Sequence, residues 1–130
     1  MLFKIPFKTA FIILLGVCFA LLVFHSLILF QIIPYDIVWG GRLNSYDEML
    51  QFEIVSLTVN AALIVLLFFK SKHKDNMFIT IILWIYVALF AFNTLGNMLS
   101  KNTFELIVFT PLTLILALLC ARVALERSDV

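Results

Sequence analysis

Four long apolar stretches separated by short polar segments dominate the chain. The first carries no charge from Thr9 to Tyr35, taking His25 as neutral. A bilayer span needs about 20 mostly apolar residues, with a range of roughly 17–25, so a helix is expected over 9–33. The second run, Ile54 to Phe69, is short by itself. Upstream of it, Ser45-Tyr46-Asp47-Glu48 has the spacing of a capping box, with Ser45 as N-cap and Glu48 reaching back to it. The pattern therefore predicts a helix over 46–70, roughly 37 Å long, whose first turns stand above the hydrocarbon. A third uncharged stretch, Asn76 to Ser100, predicts a helix over 76–100. The fourth, Leu106 to Ala121, follows a polar Lys101-Asn102-Thr103 turn and stops at Arg122, predicting a helix over 105–122.

Composition agrees with this pattern. Of the 130 residues, 64% are hydrophobic and 13% charged, and the mean hydropathy is +1.14. Soluble domains run at roughly 45–50% apolar and about 25% charged. A soluble fold of this size could not hide so much apolar surface. This excludes a soluble globular enzyme, a disordered tail and a secreted disulfide scaffold. A net charge of +1 excludes a strongly basic nucleic-acid binder, so no nucleic-acid partner is expected. The expected class is an all-α membrane protein forming one domain over 1–130.

Lys4 and Lys8 resemble the basic flank of a signal peptide. The apolar stretch after them is longer than a signal core and has no small-residue cleavage pattern, so it is expected to be a retained helix. Of the nine Lys and Arg residues, Lys4, Lys8, Lys70, Lys72, Lys74, Arg122 and Arg127 fall on one side of a four-span arrangement. Arg42 and Lys101 fall on the other. Cytoplasmic loops carry the Lys and Arg excess, so both termini are expected to be cytoplasmic, in an inner or plasma membrane. Short connections make sequential helices antiparallel neighbours, giving an up-down-up-down four-helix bundle. Lys70, Lys72, His73 and Lys74 are expected to form a basic cytoplasmic turn that serves as the topology signal and contacts anionic lipid.

Polar side chains inside a bilayer are costly, so their positions carry information. Counted from the cytoplasmic ends, His25, Glu53 and Asn93 each lie about 24–25 Å up their helices, and Thr110 about 18 Å. Glu53, Ser56 and Asn60 share one face of the second helix by i, i+3, i+7 spacing. Asn93 and Asn97 share one face of the third, with Gly96 beside them. Thr110 and Thr113 flank Pro111 on the fourth. These positions predict an outward-facing polar pocket floored near Asn60. Below it lie Cys18, Thr80, Tyr86 and Cys120 among aliphatic and Phe residues, which argues against a continuous ion or proton path.

The expected ligand-binding residues are Glu53, Asn60, Asn93, His25, Asn97, Ser56 and Thr110, with Arg42 and Trp39 at the mouth. A carboxylate at the depth of Glu53 must be paired or neutralised, and it could serve as a general acid/base, a cation anchor, or a partner of Arg42. His25 could act with it or simply bridge helices. The asparagines suit either a ligand or interhelical hydrogen bonding. Arg42 could grip a phosphate or carboxylate, or pair with Asp36, Asp47, Glu48 or Glu53. Cys18 and Cys120 sit in apolar runs and suggest packing, with neither a metal site nor a redox pair. Phosphate-binding, nucleophile-elbow and zinc-protease motifs are absent, and no cofactor is expected.

Two segments, Val38-Trp39-Gly40-Gly41-Arg42-Leu43 and Phe92-Asn93-Thr94-Leu95-Gly96-Asn97, resemble stretches of small bacterial four-helix membrane proteins to which no activity is attached. The vitamin K epoxide reductase type requires cysteine pairs that this chain lacks. Small multidrug exporters place their glutamate in the first helix, whereas Glu53 is in the second. The emopamil-binding type shares only a bundle with a carboxylate-lined pocket. The first functional expectation is a membrane protein that binds, or helps to transport, a small or amphipathic ligand. A membrane-embedded enzyme with Glu53 as acid/base is the second. A structural or regulatory subunit is the third. The bilayer, a small-molecule or lipid ligand and a second copy of the chain are the expected partners.

Overall fold

The computed structural model of the protein describes residues 4–128 and is all-helical over them, without strands. Helix α1 spans Phe7–Leu29, α2 Tyr46–Lys72, α3 Met77–Met98 and α4 Thr110–Ala124. Each boundary has a local cause. Helix α1 stops four residues before the expected end. Gln31 adopts a left-handed φ of 58°, the N–H groups of Ile32 and Ile33 fold back onto the Leu27 carbonyl, and Pro34 disfavours helical geometry at Ile33. Two short 3-10 turns, Tyr35–Ile37 and Trp39–Gly41, then lead to α2.

Ser45 caps α2, its Oγ accepting from the Glu48 N–H at 3.2 Å. The Glu48 carboxylate reaches one residue beyond the expected partner, accepting from the Asn44 N–H at 2.9 Å. Asn76 caps α3 by accepting from the Ile79 N–H. A wide π turn, Glu105–Phe109, precedes α4. Its cause is Pro111, which has no N–H for the Ile107 carbonyl and whose ring crowds that carbonyl.

Helices α1 and α2 pack along their lengths, as do α3 and α4. The two pairs meet chiefly through α1 and α4. Although consecutive, α2 and α3 touch far less than either of these pairs. Leu14 and Cys18 of α1, Leu63 and Leu67 of α2, Leu83 of α3 and Leu116 and Cys120 of α4 fill the main core. A smaller cluster, Ile28, Val38 and Met49, lies beneath the Trp39 segment. Exposed Ile, Val, Leu and Phe side chains cover the outside of the bundle, far more apolar surface than a water-facing monomer shows. All four helical stretches, with Glu105–Phe109 counted in the fourth, are long and apolar enough to cross a bilayer, which makes this a multi-pass membrane protein.

One end of the bundle is closed by basic residues, with Lys72 and His73 exposed. Lys70 is 0% exposed. Its Nζ donates to the Lys74 carbonyl and to Thr80 Oγ1 at 2.9 Å, tying the α2–α3 connection together. Arg122 donates through Nε to the Ile5 carbonyl at 2.6 Å and through Nη1 to Glu126 at 2.8 Å. Lys74 reaches the other oxygen of Glu126 at 3.3 Å. Partial burial pushes the Glu126 carboxyl up, but hydrogen bonds from Arg122 and Lys74 more than offset it and hold the group below its ordinary 4.5.

A carboxylate held low stabilises the fold in full above its unfolded value and loses that contribution as pH falls through the folded value. Glu126→Gln is therefore expected to lower stability by about 0.5–1 kcal/mol at neutral pH. The gap to wild type should close in acid, as followed by thermal unfolding in lipid nanodiscs across pH.

Candidate functional site

At the other end of the bundle a single carboxylate gathers three segments. Glu53, on the inward face of α2, is 0% exposed. Its Oε2 accepts from His25 Nδ1 of α1 at 2.6 Å, and its Oε1 from Trp39 Nε1 of the connecting segment at 3.1 Å. A buried charge without partners is expensive, and hydrogen bonds to an ionised group are the strong ones. These two donors replace the Arg42 partner considered from the sequence. Among the described residues Arg42 makes no ion pair.

A second buried carboxylate faces the same segment. Glu105 is 6% exposed, and its Oε2 accepts from the Gly40 N–H at 2.7 Å and from Ser100 Oγ. Trp39, Gly40 and Gly41 all lie in the left-handed region, with φ of 56°, 71° and 65°. That conformation costs a side-chain-bearing residue about 1–2 kcal/mol. At Trp39 the indole bond to Glu53 and contact with the Phe52 ring, 4.7 Å between centroids, offset the cost. The turn is thus a strap held from two sides by two carboxylates.

Beneath the strap lies a cavity of about 430 Å³. His25, Ser56, Asn60, Asn93, Asn97 and Thr113 supply its polar wall, and Trp39, Gly40 and Arg42 close it at the strap. Val55, Val59, Leu89 and Phe92 line its side, where α2 and α3 diverge. Within it, Asn60 is 6% exposed. Its Nδ2 donates to the Ser56 carbonyl at 2.8 Å, while its Oδ1 has no partner. Asn97 donates to Thr113 Oγ1 at 3.3 Å, and Thr113 also bonds Thr94 across the α3–α4 interface at 2.9 Å.

Most of the residues singled out from the sequence meet around this space: His25, Trp39, Arg42, Ser56, Asn60, Asn93 and Asn97. Two stand apart. Glu53 lies behind His25, outside the lining. Thr110 also lies outside it, with a buried hydroxyl that has no partner, and Thr113 occupies the wall instead. Glu105 was not singled out. Its signal was the stripe Glu105, Phe109, Thr113 and Leu116, which follows helical spacing on one face.

Chemically, the wall offers hydrogen bonds more than charge. Among the described residues no three His, Cys, Asp or Glu side chains converge to hold a metal. With Nδ1 engaged by Glu53, His25 has only Nε2 for the cavity. Proton exchange with a molecule held there would run through His25, with Glu53 fixing the ring.

The strap geometry is testable through its glycines. A Cβ on Gly41 would meet the Asp36 carbonyl at 3.3 Å at a φ of +65°, whereas a Cβ on helical Gly96, also at the cavity, meets nothing within 4 Å. Gly41→Ala is expected to lower stability by about 1–2 kcal/mol. Gly96→Ala should be neutral or stabilising by up to about 1 kcal/mol. Thermal unfolding of the two variants in nanodiscs checks the contrast.

Comparison with protein-family profiles, with curated proteins and with solved structures gives no match, so the assignment of function rests on the chemistry of this cavity.

Proposed function

We propose that the protein binds an amphipathic ligand which enters from the bilayer between α2 and α3. The observation that carries this reading is the cavity's division into two kinds of wall. Its side is apolar and faces outward, with Phe92 73% exposed, while its depth holds the unpartnered Asn60 oxygen. Ligand sites of roughly 300–1,000 Å³, mostly apolar with a few placed polar groups, have this character. A lipid chain could slide in along Val55, Val59 and Leu89 without crossing water, bringing its polar end to His25 and Asn60.

The basic excess supports an orientation with the Lys70 end and both termini in the cytoplasm, in an up-down-up-down arrangement across an inner or plasma membrane. The cavity then faces the outer leaflet. Leu63, Leu67, Leu83, Cys18 and Cys120 pack the other half, which supports holding a ligand over conducting one and suits a transport accessory. The His25–Glu53 contact favours a second reading, acid–base catalysis on the bound ligand. That reading requires product formation with a pH profile that Glu53→Gln removes.

A nitroxide-labelled single-chain lipid tests the binding reading in nanodiscs. Wild-type protein is expected to give an immobilised spectral component. Val59→Trp, which narrows the side opening, should reduce that component at least about tenfold, since fitting the chain beside the indole would overpack the filled cavity at about 1–3 kcal/mol, while the empty cavity takes the indole with the melting temperature little changed. Equal spectra from the two proteins would remove the cavity as the binding site.

A further inference from the structure

The polar wall also specifies what kind of head group the cavity takes. Asn60 gives one of its two amide N–H groups to the Ser56 carbonyl, at 2.8 Å, and its buried oxygen has no partner. Such an orphaned acceptor is unfavourable unless a ligand or water satisfies it. On the adjoining wall, the Glu53 carboxylate already takes the Trp39 N–H and holds His25 through Nδ1. In the neutral ring with Nδ1 donating, the lone pair of Nε2 is what His25 offers. Among the described residues Nε2 has no partner. Two acceptors without partners therefore belong to residues that line the space from α1 and α2, both held by bonds to the protein.

Charge points the same way. Glu53 stands behind His25 and Glu105 lines the wall under the strap, so two carboxylates border the cavity. The cation that lines it, Arg42, is an exposed side chain at the strap. An anionic head pushed to the level of Asn60 would face acceptors and carboxylates together. A head that donates hydrogen bonds would complete both acceptors.

Building on the lipid-binding reading above, we propose that the cavity selects single-chain amphiphiles whose head group is a hydrogen-bond donor, an alcohol or a primary amine, over anionic or donor-free heads. A site built to receive a donor rejects the analogue without one because its own buried polar atoms are left unpaired.

Competition against the nitroxide lipid in nanodiscs tests this with four probes of equal chain length: dodecan-1-ol, dodecylamine, dodecyl methyl ether and dodecyl phosphate. The alcohol or the amine is expected to compete at least about tenfold better than the ether and the phosphate, a difference on the scale of one or two net hydrogen bonds. Whichever of the two is stronger identifies the head as neutral or cationic. Asn60→Leu should erase most of the preference, whereas Thr110→Val, whose hydroxyl lies outside the cavity, should keep it. An ether as strong as the alcohol would overturn donor selection while leaving lipid binding intact, and a phosphate stronger than both would give the site to Arg42. Failure of every probe, and of the nitroxide lipid itself, would overturn the binding reading and this one with it. Should Asn60→Leu not fold, the wild-type ranking of the four probes decides alone.

Discussion

The buried carboxylate of Glu53 is the constraint on which the rest of this structure depends. A charge-bearing group at that depth has to be met by donors, and the donors come from two other parts of the chain, α1 and the connecting segment. Satisfying it fixes the rotation of α1, because His25 must face α2, and it fixes the path of the chain after α1, because the indole of Trp39 must turn inward. Glu105 imposes a matching demand from the far side, met by a backbone N–H that only a left-handed turn presents to it. The cavity is the space these demands leave.

That space persists because the bundle is made of two pairs. Tight packing within α1–α2 and within α3–α4 leaves the α2–α3 seam thin at the strap end, while leucines and cysteines fill the opposite half. A single uniform core would have closed the gap. The π turn forced by Pro111 adds to the effect, since it displaces the first turn of the fourth segment and lets Thr113 face α3.

The helices were legible in the amino-acid sequence because lipid rewards long apolar runs and caps mark their starts, as Ser45 does. The facing of Glu53, Ser56 and Asn60 was legible because helical spacing puts them on one stripe. What could not be seen was which atoms would meet. Several acids compete for Arg42 on paper, but the strap turns the backbone N–H of Gly40 toward Glu105 and leaves the guanidinium outside. Glu105 itself stood at the first position of the expected fourth helix, and residues at a helix start are ambiguous between cap and wall. Lys70 looked like an ordinary flanking lysine. Only the fold shows that its ammonium is enclosed by the loop that follows it and by Thr80, a distinction between snorkelling and burial that local composition does not contain.

The strap's two anchors differ in how far along the chain their partners lie. Trp39 and His25 find Glu53 across 14 and 28 residues, whereas Gly40 waits for a carboxylate 65 residues downstream. Chains emerge from the ribosome N-terminal end first, and nearby contacts form before distant ones. The first hairpin can therefore assemble around Glu53 while the strap is still free on one side. Docking of the second hairpin supplies Glu105 and latches it, so the roof of the cavity is the last part of the molecule to be finished.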